Sequence, residues 1–254
     1  MDRIVFIENR ERTHTWKWMA EEAIVRGYEV HWIVQNHLYA PKCNNVHIIP
    51  YPKASDVRRA KEKGMPEDVR SYISSSDRNL NFFGVKNADY YYYYYQRIDE
   101  LISSIQPFLV FGENTEFHEL LAISLCKYKN ILYLHPTSCR YPSCRFSFYL
   151  YDSLTPFSGS GVELPYDEAL QIANEIASRQ TMPSYMASVR PSLSSITHKN
   201  WYLFVNLVGY LSGEHFCTPS PFNKVRLNIK KSRLVDRWVI LFHSCCKTLR
   251  FSSF

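Results

Sequence analysis

The chain contains little glycine and no long apolar run. Only 8 of its 254 residues are glycine, and it lacks the GxGxxG turn of dinucleotide-binding proteins, the Walker lysine loop, the HExxH zinc motif and the GxSxG nucleophile elbow. These absences disfavour dehydrogenases, P-loop NTPases, zinc peptidases and α/β-hydrolases. No apolar run reaches the roughly 18 residues of a membrane-spanning helix, and the first run, Ile4–Ile7, is too short for a signal peptide. We therefore expect a cytoplasmic protein.

The cysteines follow no regular spacing along the chain. There are seven of them: Cys43, Cys126, Cys139, Cys144, Cys217, Cys245 and Cys246. Zinc sites usually carry their cysteines in paired CxxC motifs, and none of these cysteines is paired in that way. In a cytoplasmic protein we expect reduced thiols. The sequence predicts no metal and no cofactor.

The basic residues are concentrated at the C-terminal end. The last 33 residues carry eight basic side chains and one acidic side chain, a net +7, whereas the whole chain carries +6. Residues 1–221 are therefore close to neutral. Nucleic-acid binding requires a basic surface across the fold, so we predict no nucleic-acid partner. Two interpretations of Lys224–Arg237 stay open: a solvated linker helix, or a segment that contacts anionic lipid at the inner face of the cell membrane.

The first 34 residues have the pattern of a strand, a helix and a second strand. Arg3–Ile7 is a short β-rich apolar run, and apolar residues at helical spacing predict a helix that begins at Thr13 or Thr15 and runs to about Arg26. A glycine ends this helix, and Tyr28–Val34 alternates as a strand does. Such a βαβ unit predicts a parallel sheet.

The same pattern returns between residues 89 and 134. The predicted elements are a helix, a buried strand, a second helix and a further strand, at Asp89–Ile105, Phe108–Phe111, about Glu116–Lys127 and Ile131–Leu134. Six consecutive tyrosines, Tyr90–Tyr95, spread around the first helix, so that at most three share a face. We expect them to pack in the core or a groove. With Val46–Ile49 as a third strand, the predicted fold class is α/β, a Rossmann-like parallel sheet with flanking helices.

The C-terminal part of the sequence predicts a helical extension. Ser158–Gly161 is rich in glycine and serine and marks the end of the first domain, so the domains are predicted as 1–160, a helical linker region 161–233 that begins with the amphipathic helix Pro165–Arg179, and an irregular basic tail 234–254. Exposed apolar surface is expected at four residues of the linker region: Tyr202, Phe204, Leu207 and Leu211.

In an open parallel sheet, ligands bind where the loops after the strands gather. Glu113 directly follows a buried strand and is the candidate general base, which would deprotonate a hydroxyl group. The competing interpretation is a loop carboxylate that binds the amides at the N-terminus of the next helix. His14 is the second candidate for the catalytic role, unless it only caps the first helix. Glu116 and Glu119 are expected to complement the helix dipole or to face solvent.

Six further residues are predicted to bind the substrate. They lie in or beside the loops after the first, fourth and fifth strands: Glu8, Thr15, Asn114, His135, Arg140 and Arg145. Guanidinium groups bind phosphates and carboxylates through two parallel hydrogen bonds. Arg140 and Arg145 are therefore expected to hold an anionic acceptor or a donor phosphate, unless they form structural ion pairs.

Several segments resemble a known family. Arg26–Val34, with the sequence RGYEVHWIV, is similar to the second-strand entry of GT-B glycosyltransferases. Gly112–Glu116 (GENTE) together with Arg140–Tyr149 (RYPSCRFSFY) resembles bacterial capsule polysaccharide biosynthesis proteins, and Gly213–Pro221 (GEHFCTPSP) resembles the linker of that group. The resemblance covers about residues 1–233.

The resemblance implies a glycosyltransferase with two Rossmann-like halves, which transfers a sugar from a nucleotide-sugar donor to a saccharide acceptor in the cleft between them. Residues 1–160 would form the N-terminal, acceptor-side half. Only 93 residues follow Gly161, fewer than a second such half needs, so we expect a truncated chain. The alternatives are a catalytically incomplete acceptor-binding fragment and a membrane-peripheral scaffold of the same pathway.

Overall fold

A six-stranded sheet forms the centre of the molecule. The computed structural model describes residues 1–85, 87–138, 146–157, 163–178, 201, 204–213 and 215. The strands are β1 (Arg3–Ile7), β2 (Glu29–Val34), β3 (Val46–Ile48), β4 (Leu109–Phe111), β5 (Leu132–Ser138) and β6 (Phe146–Leu150). Their order in the sheet is β3-β2-β1-β4-β5-β6. Neighbouring strands are parallel except β6, which runs antiparallel to β5.

Seven helices connect or follow these strands within the described residues. They are α1 (Thr13–Val25), α2 (Ala54–Lys63), α3 (Glu67–Ser76), α4 (Arg78–Asn81), α5 (Tyr90–Ile105), α6 (Phe117–Lys129) and α7 (Tyr166–Ser178). Residues 204–211 form a further helical segment. The predicted βαβ units are both present, so the α/β fold class is confirmed.

The two faces of the sheet pack against different helices. Along β1, Val5 and Ile7 point into the core that contains α5 and α6, whereas Ile4 and Phe6 point into the core that contains α1. This alternation follows from the pleat of a strand, which directs successive side chains to opposite faces. Strands buried on both faces read as continuous apolar runs, which is why Arg3–Ile7 can be recognised from the sequence.

The tyrosine run of α5 is more deeply buried than the sequence predicts. Four of the six tyrosines are buried: Tyr90, Tyr91, Tyr93 and Tyr94. The helix contacts α2 on one side and α6 on the other, so a wider arc of its surface is covered than a single core-facing stripe. The expectation of core packing is confirmed, and four tyrosines are buried because two neighbouring helices cover different sides of α5.

The sequence prediction misses one strand and shortens another. The fifth strand is predicted to end at Leu134, but β5 continues to Ser138 because it pairs there with β6. No strand is predicted at Phe146–Leu150. The predicted helix Pro165–Arg179 is confirmed as α7, whereas the proposed domain boundary at Ser158–Gly161 lies outside the described residues.

Candidate functional site

The candidate site lies at the carboxyl ends of β1, β2 and β4, the edge where ligands bind in open parallel sheets. Three loops meet at this carboxyl edge: residues 8–12 after β1, residues 35–36 after β2 and residues 112–116 after β4. The helical segment 204–211 also contacts this edge. The Oδ1 atom of Asn206 accepts hydrogen bonds from Arg10 Nη1 at 2.8 Å and from the Tyr39 hydroxyl at 3.2 Å.

Glu8 ties the loops after β1 and β2 together. Its side chain is fully buried, and its carboxylate accepts hydrogen bonds from the backbone N–H groups of Arg10, Gln35 (3.2 Å) and Asn36 (3.0 Å). A buried carboxylate with three backbone donors has the surroundings of a structural group. The buried position of Glu8 therefore does not support the predicted contact with a substrate. Glu8 instead fixes the loops after β1 and β2.

Glu119 performs the same role for the loop after β4. It lies in the first turn of α6 and is fully buried, so the alternative that it faces solvent is wrong. Its carboxylate accepts hydrogen bonds from the backbone N–H groups of Glu113 (2.8 Å), Thr115 (3.1 Å) and Glu116 (3.0 Å), and from Nδ2 of Asn9 at 2.9 Å. Burial raises the pKa of Glu119 to about 7.

Glu119 also takes part in capping the N-terminus of α6. A helix N-terminus attracts anions because its first N–H groups have no partner within the helix. Here an internal carboxylate already binds the N–H groups that precede α6. At the N-terminus of α6, the side chains of Glu116 and Glu119 form a capping box, in which each binds the backbone N–H of the other, and the Glu113 carboxylate takes no part in it. The side chain of Glu113 is left for another role.

Glu113 is largely buried and lies beside a cation. Its Oε1 atom is 3.0 Å from Arg12 Nη1, and the two side chains are 13% and 55% exposed. The geometry of this ion pair is not that of a hydrogen bond, so Glu113 Oε1 accepts none from the described residues. Burial raises the pKa of Glu113, Arg12 opposes this rise, and the carboxylate of Glu116 adds to it. Glu113 is thus a carboxylate with unused acceptor capacity.

The backbone at Glu113 is held by a close contact that only glycine allows. The Tyr133 hydroxyl donates a hydrogen bond to the Glu113 carbonyl at 2.6 Å. A Cβ atom on the preceding residue, Gly112, would lie 2.3 Å from that hydroxyl oxygen and 3.1 Å from Ile7 Cβ. Gly112 therefore lets Tyr133 reach the loop and fix the direction in which Glu113 leaves β4.

Arg10 adds a second cation to the same edge. Its Nε atom is 3.9 Å from Glu116 Oε1, and its backbone has a positive φ of 41°, a conformation that non-glycine residues rarely adopt. Two arginines from the loop after β1, Arg10 and Arg12, therefore face two carboxylates from the loop after β4, Glu113 and Glu116. In such an arginine–carboxylate pair, an anionic or polar ligand can take the place of the carboxylate on the guanidinium group.

The other sequence candidates differ in how far the structure supports them. His14 and Thr15 lie in the first turn of α1, where His14 is exposed and Thr15 is half-buried. The local structural role belongs to Thr13, whose Oγ1 accepts a hydrogen bond from the Asn9 N–H at 3.1 Å. Asn114 is half-buried in the same loop as Glu113. Glu113 and Asn114 therefore share the loop after β4. His14 and Thr15 begin α1, directly after the loop that carries Arg10 and Arg12.

His135 is not in the loop after the fifth strand. It lies within β5, 5% exposed, opposite Tyr149 of β6, and its ring stacks on that of Tyr149. Its Nδ1 atom is 2.5 Å from the Tyr151 carbonyl oxygen, and burial lowers the pKa of His135. The predicted loop position is wrong because β6 extends the strand.

Some expectations lie beyond the described residues. Arg140 and Arg145 are outside them, as is Lys224–Arg237, so their roles stay predictions. Among the residues that the structure does describe, no group of three His, Cys, Asp or Glu side chains is arranged to hold a metal ion. In the same part of the chain, no helix has the length and apolar character needed to cross a membrane.

Comparisons with known proteins add little to this geometry. No family model matches the chain, and no curated protein matches it. Among solved structures, the chain is similar to the crystal structure of a deacetylase triple mutant involved in the teicoplanin biosynthetic pathway. The two are 11% identical, the match covers 70% of this chain and 81% of that chain, and the TM-score is 0.33. A likeness this distant carries no argument about function.

Proposed function

We propose that the chain is a glycosyltransferase-like protein of capsular or surface polysaccharide biosynthesis, which transfers a sugar from a nucleotide-sugar to an acceptor hydroxyl. The observation that carries the proposal is Glu113, a largely buried carboxylate at the carboxyl end of β4 whose Oε1 atom accepts no hydrogen bond from the described residues. The class of reaction comes from two resemblances: that of Arg26–Val34 to GT-B glycosyltransferases and that of Gly112–Glu116 to capsule polysaccharide biosynthesis proteins. It also makes this sheet the acceptor-side half of a GT-B fold.

Glu113 acts as the general base in this proposal. The acceptor oxygen bonds to the anomeric carbon of the donor, the bond from that carbon to the leaving phosphate oxygen breaks, and the hydroxyl proton passes to the Glu113 carboxylate. The raised pKa of Glu113 makes the carboxylate a stronger base than an exposed glutamate. Asn114, in the same loop, supplies an amide that can hydrogen-bond a neighbouring sugar hydroxyl.

Arg12 orients the base and, together with Arg10, gives the site positive charge. It is more exposed than its partner Glu113, so a ligand can reach its guanidinium group. A phosphate or a uronic acid would bind two of its N–H donors in parallel. His14, exposed in the adjacent turn of α1, is the second candidate for a proton acceptor.

A transfer assay tests this proposal. The purified chain is incubated with a panel of nucleotide-sugars and oligosaccharide acceptors, and release of the nucleoside diphosphate is measured. We expect Glu113→Gln to lower kcat by about 10²- to 10⁴-fold, the usual contribution of a general base. The control variant Glu100→Gln changes an exposed glutamate of α5 and should leave the rate unchanged. Equal rates in E113Q and the unmodified chain would rule out Glu113 as the base.

A second candidate function is saccharide binding without transfer. It is favoured by the single sheet of the described residues, since the resemblance assigns the donor site to a second Rossmann-like half. In that case the chain would bind an oligosaccharide at the carboxyl edge but bind no nucleotide-sugar. Titration calorimetry with each ligand class separates the two functions, because only the transferase binds both.

A further inference from the structure

One face of the sheet is incompletely covered by the described residues. It packs against α1 alone, whereas the opposite face packs against both α5 and α6. Beside α1 lies an apolar groove of about 610 Å³. Its floor consists of side chains from β1, β4 and β5: Ile4, Phe6, Leu109, Phe111, Leu132 and Leu134. Parallel sheets are normally covered on both faces, and among the described residues no helix other than α1 covers this face of the sheet.

The helix that follows the sheet in sequence has no buried residue. α7 begins nine residues after Phe157, which itself lines the groove. Its apolar and polar residues separate cleanly around the helix at 100° per residue. Seven apolar residues occupy one side: Tyr166, Ala169, Leu170, Ile172, Ala173, Ile176 and Ala177. Leu170 and Ile176 are each 45% exposed, so α7 presents an apolar face to solvent.

We propose that α7 docks in this groove and closes the second face of the sheet. The helix has 13 residues and is about 20 Å long, close to the roughly 23 Å of the seven-residue strand β5. The eight residues between Phe157 and Tyr166 span up to roughly 30 Å, enough to lay the helix over β4 and β5. Docking places the apolar side of α7 on the groove floor and beside Met19 and Ala23 of α1, and leaves its polar side in water.

The occupant is α7 of the same chain and not that of a second copy. A short connection holds the helix near the groove at an effective concentration in the millimolar range. A second copy would have to compete with this from far lower concentrations. In this proposal α7 acts as a strap that closes over the groove of its own chain, and docking should not depend on protein concentration.

Amide hydrogen exchange of residues 166–178 tests the proposal. An isolated helix of this length is marginal in water, so α7 amides that exchange at least tenfold more slowly than unstructured amides indicate packing. Leu170→Asp places a charge on the apolar side and should abolish this protection. Gln171→Asp is the matched control, since it creates the same residue one position away on the polar side and replaces a residue of similar helix propensity. It should retain the protection.

A second pair of variants changes the α1 side of the groove instead of α7. Ala23→Glu places a charge in the groove and should also release α7, whereas Val25→Glu, at an exposed position of α1 outside the groove, should not. Absence of protection in the unmodified chain overturns the proposal, as does protection that survives A23E. Protection that grows with protein concentration overturns the assignment to the same chain and indicates exchange of α7 between two copies.

Discussion

Two buried carboxylates, Glu8 and Glu119, organise the loops that carry the candidate base. Each accepts hydrogen bonds from three backbone N–H groups, and such a carboxylate cannot be replaced by an amide of the same shape without turning donors towards donors. Glu119 therefore positions the backbone of the loop that carries Glu113.

We expect Glu119→Gln to lower the free energy of unfolding by about 1–3 kcal/mol, because it leaves buried N–H groups without an acceptor. The loss should depend on pH. The pKa of Glu119 is raised from 4.5 to about 7 in the folded chain, so its contribution to stability is largest below pH 4.5 and declines as the pH rises through 7. The difference between the two chains should narrow between about pH 5 and pH 8.

Urea unfolding at several pH values measures this difference. The glutamine variant has no titrating group at this position, so other ionisable residues cancel in the comparison. A difference that widens as the pH rises would show that the hydrogen bonds to Glu119 outweigh its burial.

Gly112 is expected to tolerate no side chain. Gly112→Ala would place Cβ 2.3 Å from the Tyr133 hydroxyl oxygen, and we expect a loss of about 1–3 kcal/mol in the free energy of unfolding. Tyr133→Phe removes the clashing oxygen at the cost of one hydrogen bond to the Glu113 carbonyl. The double variant should therefore be less destabilised than the sum of the single variants, as measured by urea unfolding. Strict additivity would contradict a steric role for this glycine.

Arg12 should set the pH range of any activity that uses Glu113. Because the Arg12 guanidinium opposes the burial that raises the pKa of Glu113, Arg12→Met should raise that pKa further. The acid limb of the profile of kcat/KM against pH should then move to higher pH, and Arg12→Lys should keep it near its original place. An unchanged acid limb in R12M would mean that Glu113 is not the titrating base.

At the residue scale, the sequence indicates where Glu113 lies but not what surrounds it. Its position follows from a buried strand that ends at Phe111, a local pattern. The burial of Glu119 depends on Asn9, more than 100 residues away, and such a contact leaves no local trace. One signal is local: Glu116 and Glu119 have the i, i+3 spacing of a capping box, which the structure contains.

At the scale of elements, pairing explains why β5 is longer than predicted. Pro136 argues against a central strand because it has no N–H group. However, β4 pairs with β5 only from Leu132 to Leu134, whereas β6 pairs with it up to Ser138. Pro136 therefore lies where β5 has a single neighbour. The strand Phe146–Leu150 has the sequence FSFYL, with adjacent aromatic residues at Phe148 and Tyr149, so its pattern does not alternate as that of a half-buried strand does.

The tyrosines of α5 depend on a buried acid that no sequence pattern indicates. The Asp77 carboxylate is fully buried and accepts hydrogen bonds from the hydroxyls of Tyr90 at 2.9 Å and Tyr91 at 2.6 Å, and from the Asn79 N–H at 2.8 Å. Asp77 thereby links α4 to α5.

We expect Asp77→Ala to lower the free energy of unfolding by about 1–3 kcal/mol, because it removes the acceptor of the Tyr91 hydroxyl and of the Asn79 N–H in the core. Asp68→Ala, which removes an exposed aspartate in the first turn of α3, is the control and should cost less than about 1 kcal/mol. Chemical denaturation measures both, and equal losses would contradict this role for Asp77.

At the scale of the whole molecule, the sequence predicts the class of fold but neither the edge strand β6 nor the groove beside α1. Two βαβ units imply a parallel sheet, and the observed sheet is parallel except for β6. The groove beside α1 arises where segments distant in sequence meet, and β6 lacks a regular alternation, so no local periodicity predicts either of them. The expected exposure of apolar residues in the linker region is observed at three of them, Phe204, Leu207 and Leu211, whereas Tyr202 lies outside the described residues.

The proposed function requires a saccharide or nucleotide-sugar to bind at the carboxyl edge beside Glu113 and Arg12. The most direct measurement is thermal unfolding of the chain with a panel of nucleotide-sugars, free nucleotides and oligosaccharides. A ligand present at 100 times its Kd stabilises the folded chain by about 2.7 kcal/mol. We predict a specific rise in Tm that E113Q and R12M reduce and E100Q retains. A folded chain whose Tm no ligand raises, or a rise that E113Q and R12M leave intact, would contradict the proposed function.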